Sequence, residues 1–307
     1  MARDIWFILP PGFMLLDFSG PAEALRIATE FGADFHLHYA AVNEVVSCSL
    51  GLPLGGMAPL PSQLADDSLV IIPGAANSAA AYAMPEARQV VRWLGCQLQP
   101  GRHQLATICS AALLAGEAGF LSGRNCTTHH TLLERLQALD GSARVQGNRV
   151  FVQDGPVLTS AGITAGIDLA LHLISQLASP AVARDVAREM VVYFRRSAHD
   201  PQLSPWLSHR NHLHPAVHKV QDLIATAPEQ DWSLEALAGQ VHVSPRHLSR
   251  LFREHAGVSV HAYHLLLRAA VAQQWRVAGL SKEKAALAAG FSSARQWQRV
   301  QQLADLS

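Results

Sequence analysis

Hydrophobic and polar positions follow two different rhythms along this chain. Through residue 180, short apolar runs alternate with amphipathic stretches, whereas beyond residue 214 the apolar positions recur at helical spacing. In the first part, residues 5–9, 35–42, 69–72 and 105–109 are short apolar runs and predict strands. Residues 21–31, 85–98, 110–118, 128–139 and 164–177 predict helices, and a further helix is expected over 179–194. Residues 150–152 and 157–160 predict a late hairpin turning at Gly155 and Pro156. This alternation argues for an α/β domain, a flavodoxin-like doubly wound and mostly parallel sheet with helices on both faces.

The second part predicts an all-α domain holding two related helix-turn-helix patterns. In the first, Ser233 caps a short helix whose apolar stripe is Leu234, Leu237, Ala238 and Val241. Ser244 caps the next helix, and Pro245 takes its first position, where a missing N–H is harmless. Leu248, Leu251 and Phe252 point that helix inward, leaving Arg246, His247, Ser249, Arg250 and Arg253 on or near the other side. The second pattern begins at Ser281. Aligned on the turn, Gly290 matches His242 and Ser292 matches Ser244; after one inserted residue, Trp297 matches Leu248 and Arg299 matches Arg250. Residues 260–279 between them read as one helix, with Tyr263, Leu266, Leu267, Ala270, Val271 and Trp275 at helical spacing. Ala285 and Gln301 stand where the first unit has Leu237 and Phe252, so the second unit is expected to be less stable and to contribute less to binding.

The Leu-Ala step, the run from Ser244 to Phe252 and the Ala289-Gly290-Phe291-Ser292-Ser293 turn make this region resemble the AraC/XylS family of bacterial transcription regulators over roughly residues 215–302. The resemblance implies two recognition helices in consecutive major-groove segments of double-stranded DNA. Ser244, Arg246, His247, Ser249 and Arg250 are the expected contacts in the first unit, and Ala294, Arg295 and Arg299 in the second. Arginines at such positions pair with guanine or clamp phosphate.

The first part has its own resemblance. The stretches 9–23, 72–74, 106–110, 118–129 and 159–168 follow, in order and spacing, the ThiJ/PfpI branch of the class I glutamine amidotransferase-like fold. That fold fused ahead of an AraC-type domain is the layout of the GlxA-like regulators. The resemblance implies a reactive cysteine at a strand-to-helix elbow, where Cys109 stands, with Asp17 and His129 on the matching acidic and imidazole positions. A helix starting at Ser110 would favour a thiolate through its dipole. Ser110 and Ala111 depart from the small-residue-then-glycine sequence of many active relatives, which favours a sensor pocket over turnover. The expected pocket comprises Asp17, Gly74, Cys109, Ser110 and His129 and takes a small-molecule effector, by analogy one bearing an amide or amine. Two alternatives stand beside it: a cysteine-dependent hydrolase or amidase, and a thiol sensor of oxidants or electrophiles, both using Cys109.

Composition narrows this reading. A chain of 307 residues, about half apolar, suits two domains: 1–180, then a connecting helix and linker over 181–214, then 215–307. The first 180 residues hold nine arginines against fourteen carboxylates, while residues 215–307 hold ten cations, and six histidines besides, against seven carboxylates, as suits a tail that meets phosphate. No apolar run is long enough for a membrane, and Pro10 and Pro11 cut the first run short of a leader peptide. Cys48, Cys96, Cys109 and Cys126 lack metal or redox spacing, so free thiols in a reducing cytoplasm are expected. His209, His212, His214 and His218 cluster without a carboxylate or thiol to complete a ligand set, and no metal is expected. No glycine-rich phosphate loop is present, so no nucleotide cofactor is expected. The stretch 200–206 reads as an interdomain linker, preceded by Arg184, Arg188, Arg195 and Arg196 facing either the acidic domain or DNA. A homodimer is expected through the first domain.

Overall fold

The computed structural model describes residues 2–192, 209–210 and 212–304, with side chains through 301. The expected linker over 200–206, together with Arg195 and Arg196, lies outside the described residues. The chain divides into two compact units, Met1–Gln202 and Leu203–Ser307.

In the first unit, strands β1 (Arg3–Ile8), β2 (Phe35–Ala40), β3 (Val46–Ser47), β4 (Pro53–Leu54), β5 (Leu69–Ile72), β6 (Gln104–Ile108), β7 (Asn125–Cys126), β8 (Arg144–Val145), β9 (Phe151–Asp154) and β10 (Val157–Ser160) occur in that order. Helices α1 (Leu15–Glu30), α2 (Ser78–Ala83), α3 (Pro85–Gln97), α4 (Ala112–Glu117), α5 (Leu133–Leu139), α6 (Ala165–Leu177) and α7 (Pro180–Glu189) pack around them. The main sheet runs β2-β1-β5-β6-β10-β9, parallel except for the β9–β10 hairpin. Its parallel part has the expected flavodoxin-like order, and every residue of β5 and β10 is buried, as central strands covered on both faces require. One core packs α1, α6 and α7 on one face; the other packs α2 to α5 on the opposite face. Strand order reverses on either side of β1, so the crevice at the carboxyl ends of β1, β5 and β6 is where a ligand site belongs.

Three of the expected bounds differ in the structure. Helix α1 starts at Leu15, not at residue 21, and carries Pro21 inside it. Pro21 withholds its N–H from the helix ladder and is held where α6 packs against it: a side chain on Gly166 would come within 3.2 Å of the Pro21 ring. The earlier start places Asp17 in the first turn, facing inward. Residues 128–132 are not α-helical; a 3-10 turn, His130–Leu132, precedes α5. Helix α7 belongs to the first unit's core through Ala183, Val186 and Ala187, which carries that unit past the expected boundary at 180.

The second unit consists of α8 (Pro215–Thr226), α9 (Leu234–Gln240), α10 (Pro245–Ala256), α11 (Val260–Val277), α12 (Lys282–Ala288) and α13 (Ala294–Ala304). The first half of α11 enters a core with α8, α9 and α10; Ala272 in its second half enters a smaller core with α12 and α13. The buried stripe of α11 is Val260, Tyr263, His264, Leu267, Arg268 and Ala272, whereas Trp275, expected inside, is exposed. No helix among the described residues is long and apolar enough to cross a membrane.

Candidate functional site

The first unit gathers four of its five expected pocket residues at the carboxyl edge of the sheet. Cys109 follows β6 directly and adopts φ +55°, a left-handed conformation that costs a side-chain-bearing residue strain. The loop after β5 presses Gly74 against it: a Cβ at Gly74 would lie 2.8 Å from the Cys109 Cβ, 2.8 Å from the Ser110 nitrogen and 2.9 Å from an Asp17 oxygen. The fully buried Asp17 carboxylate accepts the Gly74 N–H at 3.2 Å and the Ile163 N–H at 2.6 Å. Ser110 pins the same loop, accepting the Ala75 N–H at 2.8 Å and sharing a hydrogen bond with the Tyr82 hydroxyl at 2.9 Å. The Thr128 hydroxyl donates to the Cys109 carbonyl at 2.7 Å.

Gly162, Ile163 and Tyr82 complete the site and escaped the sequence reading. A Cβ at Gly162, whose φ is +92°, would sit 2.1 Å from the Cys109 Cβ and 2.7 Å from its sulfur. Ile163 is also left-handed, with φ +51°, and its N–H is thereby aimed at Asp17. The stretch 159–168 carried a signal for Gly162 and Ile163 in its Ala161-Gly162 pair, but not the closeness of Gly162 to the thiol, and no sequence signal marked Tyr82.

Burial decides the electrostatics. Desolvation raises the Asp17 pKa to about 6 against the opposing pull of the Ile163 and Gly74 N–H groups and the Cys109 thiol. Desolvation, then the Asp17 charge, push the Cys109 thiol up to about 12, and the Ser110 N–H offsets only part of this. The expected thiolate is therefore replaced by a neutral thiol: the elbow is a 3-10 turn, Cys109–Ala111, with α4 starting beyond it, and the dipole of a six-residue helix does not outweigh burial beside a carboxylate. His129 does not join the pair. Its Nδ1 meets the Thr131 hydroxyl at 2.8 Å and its ring packs on His130, with centroids 4.2 Å apart. No hydrogen bond joins the His129 ring to the thiol, so this arrangement lacks the imidazole–thiol pair of a nucleophilic triad.

In the second unit both turns fold as the alignment requires. Ser233 caps α9 by accepting the Ala236 N–H, and Ser244 caps α10 by accepting the His247 N–H at 3.2 Å. His242 and Gly290, matched in sequence, are both left-handed at φ +56° and +82°. Arg246, His247, Arg250 and Arg253 are exposed on α10, and Ser249 is half-buried. Arg246, Ser249, Arg250 and Arg253 line an open concavity of about 620 Å³ with Leu234 and Glu254. The Arg250 guanidinium lies 3.3 Å from the His247 ring nitrogen.

On α13, Arg295 and Arg299 are exposed, but Ala294 is buried in the small core and is corrected as a DNA contact. The reason is the inserted residue. The cap moves to Ser293, whose hydroxyl accepts the Gln296 N–H at 3.3 Å, so α13 opens at Ala294 and turns Ala294 and Trp297 inward together. Gln298, exposed three residues after Arg295, takes the outward position that the sequence reading missed. Among the described residues no group of three or more histidine, cysteine or carboxylate side chains could hold a metal ion; the His212 and His218 rings, for example, stack face to face with centroids 4.2 Å apart.

Comparison with known proteins extends this picture. Residues 3–176 match the DJ-1/PfpI family, and residues 237–300 match a helix-turn-helix domain. The HTH-type transcriptional regulator CdhR of Pseudomonas aeruginosa is 30% identical over 296 residues, covering 95% of this chain and 86% of that regulator. Isonitrile hydratase of Pseudomonas putida is 33% identical over 184 residues, covering 58% of this chain and 73% of the enzyme. Among solved structures, an AraC family transcriptional regulator from Pseudomonas putida superposes with a TM-score of 0.52 at 22% identity over 62% of this chain and all of that one, a likeness of fold.

Proposed function

The chain belongs to the DJ-1/PfpI family and, through its AraC-type helix-turn-helix domain, is a DNA-binding transcription regulator; from that premise we propose how its two units divide the work. Helices α10 and α13 each enter a major-groove segment of one operator. Arg246, Arg250 and Arg253 serve the first segment, and Arg295, Gln298 and Arg299 the second. Arginine pairs with guanine or clamps phosphate, and glutamine suits adenine. The observation that carries this reading is the exposure of these side chains on the outward sides of two helices whose turns share one left-handed geometry.

The first unit binds a small effector at the crevice holding Asp17, Gly74, Cys109 and Ser110, and forms the homodimer contact. Gly162 and Gly74 close tightly over the thiol, so the ligand is small or engages only the rim of the crevice. A neutral thiol hydrogen-bonded to a buried carboxylate suits recognition better than acyl transfer. The regulator names of relatives aligned along nearly the whole chain point the same way. The test is selection of duplexes from a random-sequence pool by the full chain. One enriched sequence should emerge, and Arg250→Ala should weaken its binding by about 1–3 kcal/mol. Failure to enrich any sequence, or an Arg250→Ala variant of undiminished affinity, defeats the reading.

A further inference from the structure

Arg268 is an arginine with almost no access to water. It lies midway along α11, between the two helix-turn-helix units, and is 8% exposed. Its guanidinium is spent on backbone carbonyls: Nε donates to Pro228 at 2.9 Å, and Nη2 donates to Glu229 at 3.3 Å and Gln230 at 3.0 Å. One turn earlier on the same helix, the His264 Nε2 lies 2.7 Å from the same Pro228 oxygen. The loop joining α8 to α9 therefore turns three successive carbonyls onto one side chain of the connecting helix. A buried guanidinium without such partners would be strongly unfavourable, so the arrangement holds as a set. Asp231 lies 3.7 Å from Nη2 but is fully exposed, and adds little.

The second helix-turn-helix meets this node from the other side. A Cβ at Gly290, in the α12–α13 turn, would fall 2.5 Å from the Glu229 oxygen, 2.9 Å from Arg268 Nε and 3.0 Å from its Cζ. The turn that sets the direction of α13 thus rests directly on the guanidinium and on the loop that leads into α9. Only glycine fits there, both for its φ of +82° and for want of space.

We propose that Arg268 is a positioning residue that fixes the spacing and angle of the two recognition helices by clamping the α8–α9 loop of the first helix-turn-helix against the Gly290 turn of the second. It touches no DNA in this role. It lets the second helix land on its groove segment without a further search, which raises effective concentration without any new contact. Lysine cannot replace it, because a single ammonium does not span the acceptors that a planar fork reaches together.

The proposal rests on both helices binding one operator, and the test separates the two ideas. The full chain is assayed on its selected operator, on the same operator with one base pair inserted between the two contacted segments, and on a duplex holding only the first segment at low salt. One added base pair rotates the second segment by about 35°. Wild type should lose on the order of tenfold in affinity on insertion. Arg268→Lys should lose on the order of tenfold on the natural spacing, little more on insertion, and bind the single segment within about twofold of wild type. Gly290→Ala, which wedges the same joint from the other side, should repeat that pattern, while His264→Gln, which keeps a donor for Pro228, should behave as wild type. An Arg268→Lys chain with wild-type affinity, or with a full insertion penalty, overturns the clamp. Loss of single-segment binding in both Arg268→Lys and Gly290→Ala assigns the residue to folding alone and overturns it too. If insertion leaves wild type unaffected, the simultaneous two-groove reading is what fails.

Discussion

At the scale of single residues, Asp17 places an ionisable group where no water reaches it, and its titration becomes a property of the fold. Its pKa is about 6 in the folded chain, against 3.8 as the ordinary value. Below the lower value the carboxyl is protonated in both folded and unfolded chains, and above the higher it is ionised in both. Between them the folded chain holds the extra proton, so the stability this group contributes is present at low pH and lost as pH rises through about 6. The loss is about 3 kcal/mol. In urea unfolding of wild type and Asp17→Asn at a series of pH values, wild type should lose about that much relative to the uncharged variant across this window. A difference that stays flat with pH contradicts the burial argument. Cys109 gives a second check. Its thiol is buried and pushed up to about 12, whereas Cys96 is exposed, so iodoacetamide at neutral pH should label Cys96 well before Cys109. Preferential labelling of Cys109 would restore the nucleophile and the thiol sensor as readings. The family resemblance in the sequence located Asp17, Gly74, Cys109 and Ser110, and the apolar run ending at Cys109 marked the elbow. It could not supply the sign of the thiol's shift, which depends on how closely Gly162 and Gly74 close over the sulfur.

At the scale of elements, the two recognition helices stand on unequal foundations. Behind α10 lie Val217, Val220, Ile224, Leu237, Leu248, Phe252, Tyr263 and Leu267, all nearly inaccessible. Behind α13 the fully buried core is alanine at five of seven positions, with Phe291 and Trp297 supplying the bulk. Trp297, standing where the first helix-turn-helix has Leu248, shares this small core with Ala285 and is its largest side chain. Trp297→Ala should therefore cost about 3–5 kcal/mol and release α12 and α13 while α9 and α10 stay folded. Hydrogen exchange can follow this, with the amides of Ala285, Ala286 and Phe291 losing protection and those of Leu237 and Leu248 keeping it. In the unaltered chain the same inequality should make Arg250→Ala cost more operator affinity than Arg299→Ala, and equal losses would reject it. The helices themselves were legible because capping serines and apolar spacing are local signals. The start of α1 was not, because Pro21 reads as a boundary unless the packing of Gly166 against it is known. Nor was the burial of Arg268: a charge inside an apolar stripe reads as solvent-facing until the carbonyls that satisfy it are brought near from another element.

At the scale of the whole molecule, regulation requires that an effector bound in the first unit distinguish between states that differ in operator affinity, because a ligand with equal affinity for both shifts nothing. Thermodynamic linkage makes this a quantitative demand on the full chain. A small amine or amide found by thermal shift should change operator affinity by some factor, and saturating operator should change that compound's affinity by the same factor. A coupling of about 1–3 kcal/mol, roughly 5–150-fold, is the range to expect. The crevice supplies the control. Cys109→Ser keeps a small buried group beside Asp17 but alters the atom that Gly162 packs against, so it should weaken the compound's effect while leaving affinity for the operator alone unchanged. Calorimetry of each ligand in the presence and absence of the other measures both arms. Unequal factors would mean that the compound acts on something other than this equilibrium. An undiminished response in Cys109→Ser would move the effector site away from the Cys109–Asp17 crevice, while the helix-turn-helix assignment, which rests on α9 to α13, would stand.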